Sequence, residues 1–127
     1  MNMQTAKNGY GTARRNVSTP RAVEVSVLTR VTSVLAAAEP FRETAYADFV
    51  DALQTNAALW RLFAQDLSSP NNGLPMELRQ RLFALAGFVH DETNRVLVDG
   101  VSAAALCDIN RDILAGLSEN TSSEVAL

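Results

Sequence analysis

The stretch Pro75–Gly100, PMELRQRLFALAGFVHDETNRVLVDG, decides how the rest of the chain is read. Leu78, Leu82, Leu85, Val89 and Val96 recur at intervals close to 3.6 residues, so an α-helix carries them on one face. Pro75 suits a helix start, where a missing N–H loses nothing. Gly100 suits a helix stop, because it enters the left-handed region without a Cβ penalty. The pattern predicts a helix over 75–98 with a single apolar stripe. Such a stripe is stable only against another element.

The flanking sequence supplies more stripes. Immediately upstream, Ser68-Ser69-Pro70-Asn71-Asn72-Gly73 is dense in turn residues and reads as a loop. Before it, Ala45, Phe49, Ala52, Asn56, Trp60, Phe63 and Leu67 stay in helical phase over 42–67, with the polar Asn56 in the middle of the run. One long helix fits this. So does a break near Thr55 with Asn56 as an N-cap, and the break is weighted more because mean helices run to about 11–12 residues. Downstream, Ser102 can cap a helix over 103–117 bearing Leu106, Ile109, Ile113 and Leu117. Toward the N-terminus, Thr19-Pro20 opens a helix over 20–38 with Val23, Val27, Val31, Val34 and Ala38 as its stripe, and Pro40 ends it. The many valines lower helix propensity, so burial has to hold this segment. Residues 1–18 read as a flexible arm and 118–127 as a polar tail. No alternating run suggests a strand. The expectation is an all-α antiparallel bundle of four to five helices, one domain over 19–117.

Composition sets the class. The chain has 127 residues, 47% apolar and 20% charged, enough for a packed core. A single cysteine, Cys107, makes no intrachain disulfide and suits a reducing cytosol. Met1–Pro20 is polar and lacks the apolar core of a signal peptide. The longest apolar run, Leu82–Val89, is far too short for a membrane span. Charge is uneven. The arm and first helical turn hold Lys7, Arg14, Arg15 and Arg21 without one acid, and the rest of the chain holds all 14 acidic residues.

Motifs for chemistry are sparse. The one histidine, His90, has Gly87 three residues before it, so the Glu-x-x-His pairs of helical-bundle metal sites are missing. Cys107 beside Leu106 reads as a small core residue. Asp48/Asp51 and Asp91-Glu92 read as solvated helix faces. Neither phosphate-loop nor dinucleotide-loop glycine pattern occurs. The expectation is no enzyme, no cofactor, no metal, no small-molecule substrate and no membrane. Arg79 and Arg81 are close together, but an acidic body opposes phosphate binding. Protein recognition is left. Trp60, with Leu59, Arg61 and Phe63 around it, is either a core anchor or an interface hot spot. Asn56 and Asn110 sit on otherwise apolar faces, where their amides cap, pair with a neighbouring helix, or meet a partner's backbone.

At these residues the sequence resembles the FlaF family of flagellin-biosynthesis regulators. Thr19-Pro20-Arg21 with Glu24, Asn56-x-x-Leu59-Trp60, Asp66, Asn72-x-Leu74-Pro75 and Leu78-Arg79 look like that family's pattern. So do Leu85-Ala86 with Phe88, Thr93 with Val96-Leu97, and Ile109-Asn110 followed by Gly116-Leu117. Tyr10 resembles the tyrosine common in the family's N-terminal arm. Phe41-Arg42-Glu43 departs from the pattern. The resemblance implies a cytoplasmic, non-catalytic helical protein that binds flagellin, promotes its synthesis and export, and acts opposite FlbT, a flagellin-mRNA regulator. A bundle groove covering an amphipathic client segment would serve that role, with Tyr10, Asn56, Leu59, Trp60, Arg61, Phe63 and Asn110 as partner-binding residues. Two alternatives stay open: an RNA-facing regulator that uses the basic arm, and a structural adaptor in a flagellar regulatory complex.

Overall fold

Pro40 stops the first helix. In a computed structural model that describes residues 20–126, with side chains over 24–117, α1 spans Pro20–Ala38. A 3-10 turn, Glu39–Phe41, follows with the proline near its start. α2 spans Tyr46–Ser68, α3 Met76–Asp99 and α4 Ala104–Ala126. α3 ends on Gly100, whose φ of 73° is the left-handed stop that the sequence predicts. No strand occurs among the described residues. The expected all-α bundle is therefore the observed fold. Tyr10 and the arm, residues 1–18, lie outside the described residues.

Among the described residues, α1 packs on α2 and on α4, α2 packs on α3, and α3 meets α4 only sparsely. Short connections make successive helices antiparallel, so α2 and α4 face each other along a diagonal. Leu28, Leu35, Phe49, Leu53, Val89 and Leu106 are the large side chains sealed between the helices.

Five expectations change. α2 runs unbroken from Tyr46 to Ser68, so there is no break near Thr55 and Asn56 caps nothing. Its side chain is buried mid-helix, where a neighbouring helix supplies its partner. In α1 the buried face is Leu28, Val31, Thr32 and Leu35, while Val34 is 52% exposed. Valines one residue out of phase had mimicked the stripe. In α3 the buried residues are Ala86, Val89, Glu92, Thr93 and Val96, and Leu78, Leu82 and Leu85 are only half-buried. Glu92, read as a solvated acid, is buried and pairs with Arg95 at 2.8 Å one turn on. α4 continues to Ala126, since nothing after Gly116 breaks a helix.

One end of the bundle is clasped. The Glu39 carboxylate accepts the Ala103 N–H at 2.6 Å, at the start of α4, where free backbone donors and the helix dipole favour an anion. Arg42 donates to Val101 O at 2.9 Å, pairs with Glu39 at 3.2 Å, and lies 4.5 Å over the Phe49 ring. The corner between α1 and α2 is thereby fastened to the α3–α4 connection. At the other end Arg79 donates to Leu67 O and Ser69 O, tying off the carboxyl end of α2.

Leu53 is sealed in the core, so Leu53→Ala should lower unfolding free energy by about 2–5 kcal/mol through lost burial and a residual cavity. Half-buried Leu82 should lose only about 1 kcal/mol on the same change. Urea unfolding of the two variants checks the order. Equal losses would mean that Leu82 is core.

Candidate protein-binding groove

Trp60 divides two recesses and forms part of the wall of each. Its ring is 3% exposed, so its indole N–H needs an internal acceptor. Asn110 Oδ1 on α4 accepts it at 2.9 Å. An indole nitrogen only donates, so this bond fixes which way the Asn110 amide faces. Asn110 Nδ2 then donates to Asn56 Oδ1 at 2.8 Å. A buried relay thus crosses the bundle diagonally from α2 to α4 and back. Asn56 Nδ2 is left without a partner among the described residues.

The smaller recess, about 230 Å³, lies on the α2–α3 seam. Ala57, Arg61, Phe83, Gly87 and His90 surround it, with Trp60 behind. The larger, about 390 Å³, is a groove at the unclasped end. Phe63 and Leu67 of α2 form one wall, with the Phe63 ring 5.5 Å from Trp60 and edge-on to it. Leu78 and Leu82 of α3 face Ile113 and Leu117 of α4 across the opening. Leu28 of α1 contributes at the base. The groove lies where, among the described residues, α3 and α4 meet only sparsely, beside the stripe residues of the amino-terminal half of α3. Glu24, Asp66 and Asp112 give it an acidic rim. Asn72 steadies Asp66, donating to Oδ2 at 2.7 Å, while its own Oδ1 accepts Leu74 N–H at 3.2 Å.

The residues singled out from sequence separate in space. Trp60 and Phe63 reach the groove, and Arg61 reaches the smaller recess. Leu59 is half-buried. Asn56 and Asn110 are both 0% exposed, so their amides face each other rather than the surface, which is the helix-pairing reading. His90 is exposed beside the smaller recess. Cys107 is buried, and that burial pushes its thiol pKa up, away from the thiolate form. Sequence reasoning missed Leu74, Ile113 and Gly116 as groove residues. Only the packing shows that α3 and α4 part there.

Asn110 makes two bonds of the relay and Asn56 only one. Asn110→Ala orphans both the Trp60 N–H and Asn56 Oδ1, and should cost about 2–4 kcal/mol. Asn56→Ala also removes a donor that has no partner, and should cost about 1–2 kcal/mol. Chemical unfolding of both variants tests the direction of the relay, and the reverse order would contradict it.

Among the described residues, no helix is long and apolar enough to cross a membrane. No curated protein and no solved structure matches the chain. A family model described as "Flagellar protein FlaF" matches residues 6–117, which takes in all of α1, α2 and α3, the relay and the groove. The chain belongs to the FlaF family of flagellar proteins.

Proposed function

We propose that this chain is a non-enzymatic, cytoplasmic flagellin-binding protein whose groove covers an amphipathic segment of the subunit and so promotes flagellin synthesis and export. Membership of a flagellar family gives the setting. The observation that carries the reading is the groove itself: an apolar trough about 390 Å³ in volume, open on one side, between α3 and α4. Its size is that of a specific binding pocket.

The physical task is well defined. A filament subunit carries adhesive, amphipathic assembly segments that must stay apart until export. A helix presenting residues at i, i+3, i+4 and i+7 would lay them on Leu78, Leu82, Ile113 and Leu117. Ordering a flexible client costs several kcal/mol, so affinity is moderate and release is easy. The acidic rim repels a phosphate backbone and so favours this reading over contact with flagellin mRNA. The link to FlbT, in this view, is functional: one protein engages the subunit while the other acts on its message.

Two glycines allow a clean test. A Cβ built at Gly116, on the groove, or at Gly87, on the smaller recess, meets nothing within 4 Å. Gly116→Leu should fill the groove and weaken flagellin binding by about tenfold or more, with helical stability unchanged or raised because glycine is a poor helix former. Gly87→Leu should leave binding intact. Calorimetric titration with unpolymerised flagellin, alongside thermal melts, reads both. Loss of binding in Gly87→Leu alone would move the site to the smaller recess, and full binding in both variants would remove the groove from the function.

A further inference from the structure

The groove has a candidate occupant within the chain. α1 begins at Pro20, and Glu24, little more than one helical turn later, already lines the groove. Residues 1–19 therefore join the bundle beside the groove rim, not at the clasped end. That segment carries Lys7, Arg14 and Arg15 and no acid. The rim it meets carries Asp66 and Asp112. Its one aromatic residue, Tyr10, stands between Gly9 and Gly11, so no neighbouring side chain keeps the backbone from approaching a wall. The ten residue-to-residue steps from Tyr10 to Pro20 reach at most about 33–36 Å, longer than α1 itself at roughly 28 Å.

We propose that in the free protein this N-terminal segment occupies the groove, with the Tyr10 ring on the apolar wall and Arg14 and Arg15 against Asp66 and Asp112. Tyrosine suits such a slot because its ring is apolar and its hydroxyl can stay at a polar edge. Attraction between basic segment and acidic rim is long-ranged and screened by salt. A tether holds the segment at an effective concentration in the millimolar range, so even weak docking is well populated. The groove is then covered until a client displaces the segment. This competition deepens the flagellin-binding reading and rests on it, whereas the docking does not.

Docking is read on the full chain without any client. Replacing Tyr10 by the photo-cross-linker benzoylphenylalanine and mapping the products by mass should give intramolecular links to peptides that contain Leu78, Leu82, Ile113 or Leu117. Links should fall several-fold in Arg14→Glu/Arg15→Glu and at high salt. Links to the clasped end, links between two copies only, or an unchanged yield after charge reversal would overturn the proposal. Competition is read by calorimetric titration of flagellin into the full chain and into one lacking residues 2–17. Deletion should tighten binding by about 3–10-fold at low salt, and less as salt is added. An unchanged or weakened affinity overturns the gating. If flagellin binds neither form while the cross-links still map to the groove, the flagellin reading fails and docking of the segment stands.

Discussion

A buried indole N–H has to be given an acceptor, and this requirement organises the bundle. Trp60 sits two-thirds of the way along α2, with its nitrogen cut off from water. Its acceptor, Asn110, is on α4, the helix diagonally opposite, and Asn110 in turn needs Asn56. Side chains of this kind lose more when one member is removed than each bond contributes alone. The relay therefore fixes the axial register of α2 against α4, the helix diagonally opposite. It also fixes the plane of the Trp60 ring, which is part of the wall of both recesses. A polar triad at the centre thus determines where the apolar groove lies.

The ends of the bundle then differ for electrostatic reasons. Glu39 and Arg42 satisfy backbone groups of the α3–α4 connection and close one end. At the other end Arg79 and Asn72 satisfy the α2–α3 loop internally, and among the described residues these two side chains make no bond to α4. The first turns of α3 lie against α2, and their leucines line the groove. A helix end whose backbone groups are satisfied locally needs no partner on a neighbouring helix, and here the groove lies at that end.

The helices, their number and most of their limits were legible in sequence because proline, glycine and the 3.6-residue period act locally. Pro20, Pro40, Pro75 and Gly100 each stand at or next to the boundary they predict. What failed depended on neighbours. Asn56 looked like a break because its amide partner is 54 residues away on α4. The valine stripe of α1 looked sound because Val27 and Val34 keep perfect spacing, yet Leu28 and Leu35, one position on, are larger and take the core. Phe41-Arg42-Glu43 matched no expected motif, and Arg42 proves to be half of the end clasp. Of the site, Trp60 and Phe63 were found from residue type, while Ile113 and Gly116 were not, since no local pattern records that α3 and α4 diverge.

The open end of this bundle is the proposed binding end. Methyl NMR of the full chain during titration with unpolymerised flagellin tests it most directly. Leu78, Leu82, Ile113 and Leu117 should shift together and saturate with one affinity, while Leu35 and Val101, toward the clasped end, stay in place. Shifts centred on Leu35 and Val101, or none at the groove when flagellin is bound, would contradict the account.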